Sequence, residues 1–184
     1  MKPIGLLMKE HRLIERMLAV AGRAVRRMAE TGSVDAAFVD AAVDFIRTYA
    51  DRCHHGKEED ILFRGLATRP LSDEHRRMMD DLVEEHVYAR KTVARLIAGK
   101  EQVLAGDAEA VKYVLECMQE LLTFYPLHIE KEDKQFFKPA MEYFSDEEQA
   151  AMVQAFYEFD RSMIHEHYRQ VVADLAAKEP PSPA

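Results

Sequence analysis

Hydrophobic residues recur every three or four positions along five long stretches of the chain, which is the period of an amphipathic α-helix. On the first stretch, Leu7, Ile14, Leu18, Val25 and Met28 share one face. The other stretches show the same spacing, and runs of β-branched residues, which would favour strands, are few. The pattern therefore predicts an all-α protein built from long helices.

Glycine, proline and N-capping residues lie between these stretches and mark the approximate ends of five predicted helices. The helices are expected over residues 3–32, 33–63, 72–104, 107–139 and 145–177. Pro126 lies inside the fourth helix, where we expect it to kink the axis. The proline-rich tail, residues 178–184, is predicted to be disordered.

A polar motif interrupts two of the apolar faces and occurs twice. Its form is His-x-x-Lys-Glu followed by an acidic residue, and its copies begin at His54 and at His128, 74 residues apart. A Glu-His pair stands upstream of each copy and ends at His11 or at His86. The two halves of the chain are therefore copies of one helical hairpin.

The duplication predicts how the helices are arranged. Two hairpins, about residues 3–68 and 72–139, are expected to pack as an up-down-up-down four-helix bundle over residues 1–140. The helix over residues 145–177 is then an addition to this four-helix topology, outside the bundle.

A histidine and a glutamate four residues apart lie on the same face of a helix, from which both can reach one metal ion or two neighbouring ions. The bundle would bring four imidazoles and two carboxylates to one level of the core. Burying such groups without partners costs several kcal/mol, and a metal centre removes that cost. The predicted metal ligands are His11, His54, Glu58, His86, His128 and Glu132.

Mixed nitrogen and oxygen donors suit iron, manganese or zinc, and bridging carboxylates favour two ions over one. The alternative interpretation is a set of surface ion pairs, which contribute about 0.3–0.5 kcal/mol each. The repeated residues lie on apolar faces, and this position favours the metal site. The Glu-x-x-His motif of ferritin-like proteins does not occur in the sequence.

Two further residues adjoin the predicted ligands on the same helices. His55 and Glu59 form a second possible His-x-x-x-Glu pair beside His54 and Glu58. In an α-helix His55 lies about 100° around the axis from His54, so we expect it outside the ligand set. Glu15 follows His11 by four residues, and we expect it to form a surface or supporting ion pair.

Three other residues could contribute to the site. Tyr125 lies one turn before His128, where its hydroxyl could donate a hydrogen bond to a metal-bound oxygen species, although a core tyrosine explains the position equally well. His165 and His167 lie on the fifth helix, where a hydrogen-bonded side chain is more common than a metal ligand.

The composition limits the partners and the compartment. A formal charge of −8 and a pI near 5.5 argue against nucleic acid, whose phosphates need a basic surface. No stretch approaches the roughly 20 apolar residues that a membrane span requires. Two cysteines cannot form a disulfide framework, and no secretory segment is recognisable, so a cytoplasmic location is expected.

The duplicated motif resembles that of the hemerythrin family, specifically its bacterial branch built on the His-His-x-x-x-Glu cation-binding domain, from about Met8 to Phe137. The resemblance implies a non-haem di-iron centre with an oxo or hydroxo bridge. It also implies that the six predicted ligands hold the two irons, with Glu58 and Glu132 as bridging carboxylates.

One position departs from the pattern of the oxygen-carrying hemerythrins, which have His-x-x-x-His on the third helix. Here His86 is followed four residues later by Arg90. The missing seventh ligand opens a coordination site to water, a small ligand or another residue. We therefore expect a protein that binds or senses O2, NO or peroxide rather than one that carries oxygen reversibly.

Two alternative functions use the same site. One is a di-iron oxidoreductase, such as a peroxidase, an oxidase or an NO reductase, and the other is an iron store or donor. Multiple turnovers with a reductant would distinguish an enzyme from a protein that only binds its ligand. A homodimer or an unknown protein partner also stays open, because the sequence does not determine either.

Overall fold

The computed structural model describes the backbone of residues 2–176 and the side chains of residues 2–163. Five helices make up most of this part, which contains no strand, so the predicted all-α fold is confirmed. A short 3-10 turn, Met141–Tyr143, precedes the last helix. The helices are α1 (Pro3–Thr31), α2 (36–67), α3 (Asp73–Leu104), α4 (110–140) and α5 (Asp146–Ala176).

Two of the helices contain wider, π-helical turns. α2 begins in α form over Ala36–Phe45, becomes π-helical over Ile46–His55 and again over Glu58–Phe63. α4 is α-helical over Ala110–Lys131, including Pro126, and π-helical over Glu132–Phe136. Such turns form i→i+5 hydrogen bonds and are frequent at functional sites.

Capping residues explain where the helices begin and end. Pro3 occupies the first turn of α1, and Gly32 ends that helix in the left-handed conformation, with its N–H donating to the Met28 carbonyl. The Asp35 side chain accepts from the Phe38 N–H at the start of α2. Ser33 and Asp35 are the two residues of the sequence that could cap α2, and the structure uses Asp35.

Two apolar clusters form the core of the bundle, one on each side of a polar level. Ile14 on α1 belongs to the first cluster with Leu96 and Leu121, while Leu7 on the same helix belongs to the second with Leu82. His11 lies between Leu7 and Ile14 in the sequence of α1. The same order of apolar, polar and apolar positions occurs on α2, α3 and α4, so all four helices contribute polar side chains at one level.

Helix α5 packs outside the bundle against α1 and α2. Its buried Met152 and Phe156 join the second apolar cluster. His165, His167 and the tail over residues 178–184 lie outside the part whose side chains are described. Within residues 2–176, no helix is long and apolar enough to cross a membrane.

Candidate metal centre

Seven buried polar side chains meet at the level between the two apolar clusters. Each of them is at most 2% exposed, and together they come from α1 to α4. They are His11, His54, His55, Glu58, His86, His128 and Glu132. Six of the seven are the predicted ligands, and the structure brings those six together with His55.

The seven side chains form two groups of potential metal ligands. In the first group, one ligand atom from each of His11, His54, Glu58 and Glu132 lies within 4.8 Å of the others. In the second, nitrogen atoms of His55, His86 and His128 satisfy the same limit. The two groups are adjacent, since the His54 and His55 ring centroids are 5.7 Å apart.

Each glutamate directs one oxygen to each group. Glu58 Oε1 is 3.4 Å from His54 Nε2, and its Oε2 is 3.5 Å from His86 Nε2. Glu132 Oε2 is 3.1 Å from His11 Nε2, and its Oε1 is 3.4 Å from His128 Nε2. Two carboxylates placed in this way suit the bridging of two ions.

An acidic side chain holds the outer nitrogen of every histidine in the cluster. The Nδ1 atoms of His11, His86 and His128 lie 2.7–2.8 Å from their carboxylates, and those of His54 and His55 lie 2.9 and 3.3 Å away. This contact fixes the ring so that Nε2 faces the core, as in carboxylate–histidine–metal arrangements. The partners, in the order of the histidines along the chain, are Asp133, Glu10, Asp51, Glu59 and Glu85.

The inward-facing atoms provide a test of whether metal ions fit. All five Nε2 atoms and all four oxygens of Glu58 and Glu132 are buried, and none has a hydrogen-bond partner within the described residues. Leaving one buried polar atom unpaired costs on the order of 1–3 kcal/mol, so nine together are costly. Nitrogen and carboxylate donors converging on one space are a donor set for divalent or trivalent iron, manganese or zinc.

The two glutamates have pKa values that are shifted in opposite directions. Burial, and then the neighbouring Glu132, raise the pKa of Glu58 well above its usual value. Burial opposes ionisation of Glu132 too, but His128 and His11 outweigh it and hold its pKa well below the usual range. Without a metal ion, Glu58 is therefore the carboxyl of the pair that protonates more readily and Glu132 the one that stays charged more readily.

The histidines also differ in their affinity for protons. Burial alone would lower the pKa of His11, but its hydrogen-bonded partner Asp133 and the nearby Glu132 carboxylate raise it to about 9. Burial lowers the pKa of His54 and of His55, and the nearby His11 and His86, respectively, lower them further. The cluster thus holds some imidazoles neutral and ready to coordinate.

A comparison with protein families agrees with this geometry. The sequence model of the hemerythrin HHE cation binding domain matches residues 2–140. The chain belongs to the hemerythrin HHE family. The match covers the four helices of the bundle and leaves out α5. No significant match is found among curated proteins or solved structures.

The position of His55 corrects the sequence analysis of this hemerythrin-family chain. The 100° separation of an ideal α-helix places it away from the ligand face, yet its ring is stacked on His86 with centroids 3.8 Å apart. Ile46–His55 is π-helical, and a π-helix turns through a smaller angle per residue. Successive residues His54 and His55 can therefore face the two ligand groups side by side.

Arg90 occupies the position where the seventh ligand, a histidine, is found in the oxygen-carrying hemerythrins. Its Nε donates to Asp51 at 2.8 Å, and its Nη2 donates to Glu59 at 2.7 Å. These two carboxylates hold His55 and His86, respectively. Arg90 thus supports two histidines of the cluster from outside, and His55 adds a fifth imidazole.

The other additional candidates differ in their relation to the cluster. Glu15 forms an exposed ion pair with Arg12 at 3.3 Å, as expected for a surface residue. Tyr125 is 1% exposed and stacks on His55 with centroids 6.4 Å apart. Its hydroxyl has no hydrogen-bond partner within the described residues, and burial raises its pKa, so the group stays protonated.

Two lysines of the duplicated motif support the cluster and were not among the predicted site residues. Lys57 pairs with Glu10, and Lys131 pairs with Glu85. Both glutamates also hold a histidine, so the repeat contains a lysine–glutamate–histidine chain in each copy. The signal was present in the sequence, since the Lys-Glu and Glu-His pairs are themselves repeated.

A third group of potential metal ligands, Glu10, Cys53 and Asp160, lies beside the first ligand group. A lysine side chain occupies its centre. The Lys57 ammonium donates to Glu10, to Asp160 at 2.7 Å and to Cys53 Sγ at 3.5 Å. Burial raises the pKa of Cys53 to about 12, so its sulfur is a thiol in the metal-free protein. These residues therefore form an ion-pair network rather than another metal site.

Proposed function

We propose that this hemerythrin-family protein holds two iron ions in its core and uses them to bind or sense O2, NO or peroxide. The observation that carries the proposal is the set of nine buried, unpaired donor atoms, with one oxygen of each glutamate toward each histidine group. The residues proposed to hold the ions are His11, His54, His55, Glu58, His86, His128 and Glu132.

The donor chemistry supports iron, although manganese and zinc use the same ligand types. Iron would supply the ability to change oxidation state and to bind a small oxidant at an open position. The protein's own contribution is to hold the imidazoles by their outer nitrogens and to surround the site with apolar side chains. Phe137 illustrates both, since it is fully buried and its ring is stacked on His11 with centroids 5.6 Å apart.

Metal analysis of anaerobically purified protein tests the proposal most directly. We expect two irons per chain and an optical spectrum with charge-transfer bands that respond to air or to NO. In His128→Ala both the iron content and the bands should fall. His75→Gln is the matched control, because His75 is hydrogen-bonded to Tyr143 and lies outside the cluster.

Other results of the same experiment would overturn the proposal. One zinc ion or no metal, with a spectrum and thermal stability indifferent to His128→Ala, would exclude the di-iron site. Repeated turnover of peroxide or NO with a reductant would show an oxidoreductase rather than a binding or sensing protein. Release of iron to an external acceptor without ligand binding would indicate iron handling.

A further inference from the structure

The duplicated motif allows the two halves of the metal centre to be compared within one chain. In each copy, one glutamate contacts the lysine of the motif through one oxygen and Nδ1 of a histidine through the other. These residues are Glu10, Lys57 and His54 in the first copy and Glu85, Lys131 and His128 in the second. Asp160 on α5 adds a second carboxylate to the first copy, 2.7 Å from Lys57 Nζ. The contact with α5 therefore distinguishes the first copy from the second.

The two lysine–glutamate pairs differ in their access to water. Lys57 and Glu10 are 1% and 14% exposed, whereas Lys131 and Glu85 are 28% and 26% exposed. Opposite charges attract each other more strongly where water is excluded, because the effective dielectric constant is lower there. We therefore expect Glu10 to be held in place more firmly than Glu85.

Helix α5 is the element that covers the first pair. It packs against α1 and α2, which carry Glu10 and Lys57, respectively. The Phe159 ring lies so close to the backbone of Gly56 that a Cβ there would be 2.7 Å from Phe159 Cζ. The next residue along α5, Asp160, is the one that pairs with Lys57. Docking of α5 therefore shields the Lys57 ammonium from water and also adds an anionic partner to it.

The effect of this contact reaches a ligand of the first group. Glu10 Oε2 lies 2.9 Å from His54 Nδ1, so the position of Glu10 sets the orientation of the imidazole whose Nε2 faces the first group. Replacing the outer partner of a ligand histidine typically weakens metal binding about 10- to 100-fold. A looser Glu10 would therefore weaken the binding of the ion in this group, although neither Glu10 nor Asp160 faces that ion.

We propose that α5 positions the metal centre: Asp160, acting through Lys57 and Glu10, strengthens the binding of the ion held by the first ligand group. Because coupling between two binding equilibria is reciprocal, the bound ion should strengthen the docking of α5 by the same factor. The occupancy of the centre would thus be transmitted to the surface of the molecule at α5. This inference rests on the proposed metal centre but not on the identity of the metal.

Competition with a chelator tests the effect of α5 on the metal. The full chain is loaded with iron(II) under anaerobic conditions and, in parallel, with zinc(II). We expect Asp160→Asn to lower the affinity for one of the two ions about 5-fold, which is at the lower end of the range for coupled sites. Glu10→Gln should lower the affinity for the same ion about 10-fold or more, whereas Glu85→Gln should act on the other ion.

Two further variants on α5 separate the charge from other effects of substitution. Asp160→Glu keeps the carboxylate and has room to reach Lys57, because Asp160 is 35% exposed, so it should bind metal nearly as wild type does. Glu158→Gln makes the same change from acid to amide at a position that is 69% exposed and pairs with Arg161 on α5 itself. It is the matched control and should behave as wild type.

Hydrogen exchange of the α5 amides tests the reciprocal effect. In wild type, bound metal should slow exchange in α5 about 5-fold, and this gain should be absent in Asp160→Asn and in Glu10→Gln. Amides of α3 provide the reference for any stabilisation of the bundle as a whole. A merely structural contact would give a different result, because Asp160→Asn would then speed exchange equally with and without metal.

The outcomes separate this inference from the proposed function. If bound metal leaves exchange in α5 unchanged, or if Asp160→Asn binds metal as tightly as Glu158→Gln, the coupling is wrong and the metal centre stands. Uptake of zinc but not of iron, with the coupling intact, would overturn the di-iron proposal alone. A chain that takes up neither metal would overturn both.

Discussion

Lys57 and Asp160 form an ion pair with 2.7 Å between Nζ and Oδ1, and this pair joins the added helix α5 to the core of the bundle. Lys57 is 1% exposed and pairs on its other side with Glu10. Glu10 in turn holds Nδ1 of His54 at 2.9 Å. A chain of three charged groups thus runs from α5 to a histidine of the candidate metal centre.

Replacement of Lys57 should be costly. In Lys57→Met the carboxylates of Glu10 and Asp160 lose their shared cation in a mostly buried site, and we expect a loss of about 3 kcal/mol in the free energy of unfolding. The duplicated position provides the control. Lys131 is 28% exposed, so Lys131→Met should cost less than about 1 kcal/mol. Urea denaturation of both variants measures this, and equal losses would contradict the argument.

The close contact between Gly56 and α5 makes a second prediction. A Cβ at position 56 would lie 2.7 Å from Cζ of Phe159, so Gly56→Ala should displace the Phe159 ring and weaken the packing of α5. We expect a loss of about 1–2 kcal/mol, in the range for overpacking. Limited proteolysis of α5 and a denaturant titration measure it.

The double variant provides the control for this contact. Phe159→Ala removes the obstructing ring, so Gly56→Ala should cost clearly less when Phe159→Ala is also present. If the two effects simply add, the steric explanation is wrong.

The outer carboxylates should control metal affinity although they do not face the metal. Glu85 accepts a hydrogen bond from His128, and Glu85→Gln would alter the orientation and basicity of that imidazole. We expect metal affinity to fall about 10- to 100-fold. Competition with a chelator measures this, and the exposed neighbour Glu84→Gln should behave as wild type. Unchanged affinity in Glu85→Gln would show that the contact does not support the ligand.

Metal loading should release protons, because bound ligands must be deprotonated. The pKa of His11 is raised to about 9 in the metal-free cluster, so His11 carries a proton at pH 7.5 that the metal has to displace. Proton release, measured by calorimetry in buffers with different ionisation enthalpies, should decrease as the pH rises through about 9. A release that does not change with pH would contradict this.

The same raised pKa has a consequence for the metal-free fold. A histidine with a raised pKa in the folded state contributes stability that is fully present below about 6.5. This contribution is lost as the pH rises through about 9. Metal-free wild type should therefore lose stability over that range relative to His11→Gln, in which the titrating group is absent.

The sequence predicts much of this molecule because the duplicated motif lies on regular apolar faces. His128 and Glu132 follow Leu121 and Tyr125 at helical spacing, which is enough to place them in the core. The same reasoning does not apply to contacts between distant helices. Asp160, for example, pairs with Lys57 only through the packing of α5 on α2, for which the repeat contains no signal.

His55 shows a second limit of the sequence analysis. Its assignment depended on a constant angle per residue, and that angle changes within the π-helical part of α2. The adjacent His-His pair was visible in the sequence, but spacing alone could not indicate a widened turn. Asp133 was missed for a different reason, since its contact with His11 joins two helices that are distant in the sequence.

The π-helical segments make the ligand register depend on chain length as well as on residue type. A turn closed by i→i+5 bonds holds one residue more than the α-helical turn it replaces, as an insertion of one residue would. Removing one residue from Ile46–His55 would allow ordinary α-helical turns to form there, in which the neighbouring His54 and His55 lie about 100° apart and cannot face the two ligand groups side by side. A one-residue deletion in this segment should therefore remove one imidazole from the site without replacing any ligand.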